Sequence, residues 1–154
     1  MTFFQKILMF LATGFFSGRS PVAPGTFGTL AAVPFAIVFK IIPAPFHVVY
    51  SVGVILIAIF LADKAAGILC EKDPGCIVID EMAGYVVALS LVPVQASTLV
   101  AGFCIFRFFD IVKPGPVRYF EENFPGGAGI VLDDVMAGIL TAFVLKIIYL
   151  SGVF

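Results

Sequence analysis

Long apolar segments, broken by short runs rich in proline and glycine, occupy most of this 154-residue chain. Apolar residues make up 61% of the sequence and charged residues only 12%, whereas soluble domains carry about 45–50% and about 25% respectively. So few charged side chains cannot cover a water-facing surface, and we therefore expect the protein to lie in a lipid bilayer. The length predicts a single domain, residues 1–154.

The order of apolar segments and turns predicts an all-α, multi-pass bundle of about five membrane-spanning helices. The predicted spans are 27–42, 46–62, 77–92, 98–112 and 130–150. Segment 3–16 is apolar but shorter than the roughly 20 residues of a span, so it is predicted to be an interfacial helix. It leads into no small-x-small cleavage site and is not expected to be a cleaved signal peptide.

Charge is distributed unevenly over the two faces of the predicted bundle. Loops 13–29, 63–75 and 117–129 fall on one face, and all ten acidic residues lie on or just inside it. Most of the basic residues lie there too, and the positive-inside rule places that face in the cytoplasm. The net charge of -1 argues against a nucleic-acid partner.

Five acids lie at the edges of apolar segments with no solvating loop around them: Asp80, Glu81, Asp110, Asp133 and Asp134. Carboxylates that converge there would repel one another unless a cation neutralised them. Oxygen ligands without histidine or thiolate favour Mg²⁺, with Mn²⁺ as an alternative. We predict that these five acids form the metal site and the catalytic site. The competing interpretation is that acids in the first turn of a span are stabilised by the helix dipole.

Glycines follow two of these acids at helical spacing. Asp80 and Gly84 would share one helix face, as would Asp134 and Gly138. Small residues at such positions let helices approach closely. We therefore predict close helix contacts beside the carboxylates.

Basic residues near the acids are predicted to bind phosphate, because guanidinium and ammonium groups suit phosphate oxygens. Arg107 and Lys113 flank Asp110 along the chain, and Arg118 and Arg19 lie in neighbouring loops. Anchoring to lipid headgroups is the alternative for these side chains. A proline- and glycine-rich stretch containing Gly25 and Thr26 opens a helix, and its free N–H groups could bind the same anion.

The residue types that are absent from the predicted site limit the possible nucleophiles. His47 is predicted on the opposite face, which excludes a histidine nucleophile in the site. The spacing of Cys70, Cys76 and Cys104 fits neither a zinc site nor a disulfide framework. A metal-activated water is the favoured nucleophile, and direct attack by a carboxylate is the alternative.

Four ordered motifs resemble the phosphatidylglycerophosphatase A family over nearly the whole chain. They are Pro21-x-x-Pro24-Gly25-Thr26-x-Gly28, Asp80-Glu81-x-x-Gly84, Phe106-Arg107-x-x-Asp110-x-x-Lys113-Pro114-x-Pro116 and Gly126-Gly127-x-Gly129-Ile130-x-x-Asp133-Asp134-x-x-Ala137-Gly138. The resemblance implies a Mg²⁺-dependent enzyme of the bacterial inner membrane. It implies hydrolysis of phosphatidylglycerophosphate to phosphatidylglycerol and inorganic phosphate, the last step of phosphatidylglycerol synthesis. Val131 departs from the methionine expected at its position.

Two other classes of protein use carboxylates in membranes. A cation transporter more often places them near the bilayer midplane, whereas these are predicted at one face. A lipid-linked phosphotransferase would need a long Asp-Gly…Asp-x-x-x-Asp pattern, which the sequence lacks. No oligomeric state is predicted.

Overall fold

The computed structural model describes residues 1–153, and Phe154, the last residue of the predicted domain, lies outside them. Within this range the chain is all α with no strand, as predicted. The helices are α1 Phe3–Ala12, α2 Pro24–Ala31, α3 Val33–Ile37, α4 His47–Leu69, α5 Ile79–Ala88, α6 Ala96–Val112, α7 Gly115–Asn123 and α8 Gly126–Leu150.

The short helix α5 lies at the centre of the bundle. Every residue of segment 82–88 is buried, and α5 packs chiefly against α8, with α4, α2 and α6 around it. Its ten residues measure about 15 Å at 1.5 Å per residue, well short of the roughly 30 Å hydrocarbon core. The apolar character of α5 therefore reflects burial inside the protein.

Two helices have the length and hydropathy to cross a membrane, Ala44–Leu69 and Gly126–Leu150. The predicted count of five spans is not confirmed. Segment 27–42 is divided between α2, α3 and a 3₁₀ turn at Val38–Lys40. The outer face of α4 exposes a row of large apolar side chains, among them Val49, Leu56 and Phe60, and such a patch marks a surface that contacts lipid or a partner.

Helix α8 begins earlier than the sequence predicted, so Asp133 and Asp134 lie two turns inside it rather than in its first turn. Tertiary contacts explain the difference, because they offset the low helix propensity of glycine. The N–H of Gly127 donates to Asp63 Oδ1 over 3.3 Å, and a side chain at Gly127 would overlap the carbonyl of Ile59.

Other loop boundaries were wrong for the same reason. The predicted loop 63–75 starts inside α4, which continues to Leu69, and the predicted loop 13–29 contains the start of α2. The predicted loop 117–129 contains most of α7 and the start of α8. These polar or glycine-rich segments are helical because neighbouring helices pack against them.

A close backbone contact joins α5 and α8 in the bundle core, as the glycine pattern predicted. A Cβ atom at Gly84 would lie 2.5 Å from the carbonyl oxygen of Asp134. A Cβ atom at Gly138 would overlap the carbonyl oxygen of Gly84. The two glycines therefore set the distance between α5 and α8 directly beside the acids.

We expect Gly84→Ala and Gly138→Ala to lower the thermal unfolding temperature in detergent. Each added methyl group meets backbone, and overpacking of this kind costs about 1–3 kcal/mol. Gly53→Ala on α4 is the matched control, because its methyl group would meet no atom within 4 Å other than those of its own stretch of helix and alanine is the better helix former. Circular dichroism during heating measures all three. Equal unfolding temperatures for the three variants would show that the α5–α8 contact is not tight.

Candidate active site

A cavity of about 300 Å³ lies where the N-terminus of α5 meets α2, α6 and α8. The site residues that the sequence predicted and that line it are Gly25, Asp80, Glu81, Arg107, Asp110, Lys113, Asp133 and Asp134. Acids and bases that are up to 54 residues apart in the sequence thus share one pocket. This convergence is what the sequence predicted for the five acids, Arg107 and Lys113.

The start of α5 brings two acids to the cavity. Asp80 and Glu81 lie in its first turn, as predicted, where the free N–H groups favour negative charge. The N–H of Val78 donates to the carbonyl of Ala12 over 3.0 Å and ties this turn to the end of α1. The helix dipole alone does not explain the acids of α8, because they lie beyond its first turn.

Three carboxylates form the tightest acidic group, with one oxygen each from Asp80, Glu81 and Asp134 within 4.8 Å of the others. Asp80 and Asp134 are only 8% and 4% exposed. Asp80 Oδ1 and Glu81 Oε2 are buried and have no hydrogen-bond partner. Buried carboxylate oxygens without partners carry a high desolvation cost, and a hard divalent cation with oxygen ligands fits this group.

Arg107 crosses the cavity from α6 and balances part of its negative charge. Its Nη1 forms an ion pair with Asp110 and lies 3.9 Å from Glu81 Oε1. Its Nε is buried without a partner, so one donor of the guanidinium is unused. Gly25 packs over this pair, since a side chain there would overlap Glu81 and come within 2.9 Å of Arg107 Nη1.

Lys113 follows the last residue of α6 and joins two acids. Its Nζ donates to Asp133 Oδ2 over 2.9 Å and to Glu121 Oε1 over 2.8 Å. Burial alone would lower the pKa of Lys113, but these hydrogen bonds and the two negative charges raise its pKa above the ordinary value. Lys113 therefore stays an ammonium ion at neutral pH. The second oxygen of Asp133, Oδ1, is buried and has no partner.

Three residues predicted to bind phosphate do not line the cavity. Arg19 is exposed and lies over the ring of Phe16, 4.7 Å from its centroid. Arg118 is exposed on α7, and Thr26 is half-buried on α2. Spacing along the chain predicted that these residues lie at the site, but they are not among the residues that line the cavity.

His47 lies at the far end of the bundle, as predicted. Its Nδ1 is 3.3 Å from the carbonyl of Ser90, just beyond the C-terminus of α5. The acids occupy the N-terminus of the same helix. The described cavity therefore contains no histidine.

Two residues at the site were missed by the sequence analysis, Glu121 and Asp73. Glu121 lies on α7 and binds Lys113, and exposed Asp73 lines the cavity rim. The apolar side chains of Val117, Phe120 and Phe124 follow one another at helical spacing, which could have indicated α7. No comparable signal marked Asp73.

Comparison with known proteins agrees with the geometry. The family model described as Phosphatidylglycerophosphatase A matches residues 10–149. A protein of Escherichia coli K12 named "Phosphatidylglycerophosphatase A" is 40% identical over 139 residues, covering 90% of this chain and 81% of the relative. Its namesake in Haemophilus influenzae is 36% identical, covering 88% of this chain and 84% of the relative.

A third relative carries a different name. The "Putative phosphatidylinositol-3-phosphatase" of Bacteroides thetaiotaomicron is 36% identical over 144 residues, covering 89% of this chain and 90% of the relative. No solved structure shows significant similarity to this chain. The family match covers most of the chain and includes every acid and base of the cavity, and the chain belongs to the phosphatidylglycerophosphatase A family of phosphatases.

Proposed function

We propose that this protein hydrolyses the phosphomonoester of phosphatidylglycerophosphate to give phosphatidylglycerol and inorganic phosphate, with Mg²⁺ as cofactor. Family membership supports the substrate. The observation that carries the chemistry is the group formed by Asp80, Glu81 and Asp134, with buried carboxylate oxygens that lack partners. Two basic side chains lie in the same cavity, as recognition of a phosphate dianion requires.

In this proposal Asp80, Glu81 and Asp134 hold the cation, and Asp110 and Asp133 add negative charge around it. All the atoms in this group that could bind a metal are carboxylate oxygens, which favours Mg²⁺ over zinc. A divalent cation supplies Lewis-acid charge that polarises phosphoryl oxygen and activates water.

Arg107 and Lys113 would bind the phosphate and stabilise the charge that develops on its oxygens. Their charges are partly balanced by acids that hold them in place, Asp110 for Arg107 and Asp133 with Glu121 for Lys113. Among the described residues Arg107 forms its hydrogen bond through Nη1, which leaves the two N–H donors of Nη2 for a ligand, and Lys113 uses two of its three N–H donors on these acids. Both side chains can therefore donate to a phosphate without leaving their partners.

Asp133 is the candidate general base. Lys113 fixes its Oδ2, while Oδ1 is buried and has no partner. Asp133 Oδ1 would accept a proton from the attacking water as the P–O bond to glycerol breaks, and Asp133 would then give that proton to the leaving alkoxide, so that the carboxylate is restored. Direct attack of a carboxylate on phosphorus is the alternative route to the same products.

We further propose that the chain is a single multi-pass domain of the bacterial inner membrane, with the cavity at the cytoplasmic face. The length and hydropathy of α4 and α8 support membrane insertion. The location of the basic side chains Lys64, Lys72 and Lys113 at the cavity end supports the orientation. Hydrolysis at that face would use a lipid whose acyl chains stay in the bilayer.

The first prediction from the proposed function concerns the metal. The detergent-purified protein should release inorganic phosphate from phosphatidylglycerophosphate in Mg²⁺ but not in EDTA, and Asp134→Asn and Asp80→Asn should abolish release. Mg²⁺ should also raise the unfolding temperature of the wild type, because a ligand at about 100 times its Kd stabilises by about 2.7 kcal/mol. Neither variant should show this rise.

Glu122→Gln is the matched control, since Glu122 is exposed and does not line the cavity. In EDTA the two Asn variants should unfold no earlier than the wild type, because each removes a repelling charge. Wild-type turnover in both Asn variants would rule out the proposed site. Parallel assays with phosphatidylinositol 3-phosphate test the substrate named for the third relative, and faster release from that lipid would replace the proposed substrate.

The second prediction compares a basic side chain inside the cavity with one outside it. Lys113→Met should lower kcat by about 10²–10³, the range for loss of one donor to a developing oxyanion. Arg118→Met should leave kcat near the wild-type value, because Arg118 is exposed outside the cavity. Phosphate release under saturating substrate measures both. Equal losses in the two variants would mean that basic charge acts only through the lipid surface.

The third prediction tests orientation. Cys70 is exposed and lies beside Asp63 and Gly126 near the cavity end of the bundle. With Cys76 and Cys104 replaced by alanine, a membrane-impermeant maleimide should label Cys70 in inside-out vesicles but not in right-side-out spheroplasts. Labelling only in spheroplasts would place the cavity on the periplasmic side.

A further inference from the structure

A second, apolar groove of about 180 Å³ lies between α2–α3 and α6, with α5 as its floor. Its lining residues are Leu30, Val33, Tyr85, Leu99, Val100 and Phe103. The hydroxyl of Tyr85 donates to the carbonyl of Leu99 over 2.8 Å, so the only polar side-chain group among these lining residues already has a partner. Leu30 and Val100 are 49% and 66% exposed, which leaves the groove open to the outside of the bundle.

The groove continues the acid cavity along shared faces of α5 and α6. Tyr85 follows Glu81 by four residues on α5, and Phe103 precedes Arg107 by four residues on α6. Residues four apart share a helix face and are separated by about 6 Å along the axis. The groove therefore starts about one helical turn from the cavity.

The α2–α3 wall extends in the same direction. Val33 lies eight residues after Gly25, a distance of about 12 Å along a helix, and Ala32 between α2 and α3 keeps helical backbone angles. Leu99 lies eight residues before Arg107 on α6. Both walls therefore lead from the acid cavity, at Gly25 and Arg107, toward the apolar middle of the bundle.

We propose that this groove holds one acyl chain of the lipid whose phosphate occupies the acid cavity. The proposal rests on the proposed function for the headgroup. An acyl chain is covalently joined to that headgroup through glycerol, so it must leave the cavity along an apolar path. Of the apolar surfaces described for the bundle, this groove is the one whose walls include the helix faces of Glu81 and Arg107.

The size and chemistry of the groove fit hydrocarbon. A dry cavity of about 150 Å³ lined by Leu, Ile and Phe admits a molecule of the size of benzene. Because lipid tails are as apolar as the groove, the groove adds little affinity for the chain. It instead directs the chain, and so positions the phosphate at the carboxylates.

Turnover of two substrates tests this function. Val100→Trp should place an indole in the groove and lower kcat/KM severalfold for dioleoyl phosphatidylglycerophosphate in mixed micelles. It should not change kcat/KM for the dihexanoyl substrate in solution, whose short chains do not extend along the groove. Val49→Trp is the matched control, because Val49 on α4 is 67% exposed, nearly as much as Val100, and does not line the groove.

An unchanged ratio of the two kcat/KM values in Val100→Trp would overturn the proposal. So would an equal fall of the ratio in Val49→Trp, which would show a general effect on lipid partition. A fall for both substrates in Val100→Trp would indicate damage to the cavity and would also count against a chain-positioning role.

Binding can be measured without turnover, because the natural chain contains no tryptophan. The Leu30→Trp variant carries a single indole at the rim of the groove. Phosphatidylglycerophosphate with brominated chains should quench its fluorescence more than brominated phosphatidylcholine at the same mole fraction. In Val49→Trp the two lipids should quench equally.

Equal quenching by both lipids in Leu30→Trp would mean that ordinary bilayer lipid occupies the groove, and the proposal would fail. The two proposals can fail separately. Selective quenching without phosphate release would support the acyl-chain groove and contradict the enzymatic function. Phosphate release with equal quenching would support the enzymatic function and contradict the acyl-chain groove.

Discussion

Repulsion among buried carboxylates at the end of the bundle is the constraint on which the rest of this structure depends. Asp80, Glu81 and Asp134 bring oxygens within 4.8 Å of one another, an arrangement that is costly where water is scarce. The surrounding fold offsets this cost in two ways. The N-terminal dipole of α5 favours the charges of its first turn, and Arg107 and Lys113 contribute positive charge from α6 and its end.

The same constraint explains the glycines around the site. The acids of α5 and α8 can share a group only if the two helix backbones nearly touch, and Gly84 and Gly138 permit that contact. Gly25 has the matching role on α2, where any side chain would displace Glu81. The positions of the charges therefore depend on backbone packing, since a change in the distance between α5 and α8 moves the carboxylates.

The sequence predicted the helical class and the convergence of the five acids with Arg107 and Lys113, because both follow from local patterns. Acids at the edges of apolar segments, followed by glycine at helical spacing, carry this information. The number of membrane-spanning helices could not be predicted from such patterns, because hydropathy does not distinguish segments buried by protein from segments buried by lipid. The ten-residue α5 is apolar because its neighbours surround it. The start of α8 and the role of Glu121 also depended on tertiary contacts, with Asp63 and Lys113 respectively.

The length of α8 has a consequence for how the protein would respond to its membrane. Asp134 lies 16 residues before the C-terminal end of this 25-residue helix, or about 24 Å along its axis. In the proposed orientation α8 carries both Asp134 and the segment that lies in lipid. The depth of this carboxylate below the lipid headgroups therefore depends on the tilt of α8 in the bilayer. A mismatch between the length of an apolar helix and the thickness of the bilayer is accommodated in part by a change of tilt, within the limits that packing against neighbouring helices allows. The lipid composition of the membrane would thereby adjust how far a headgroup must descend to reach the acids.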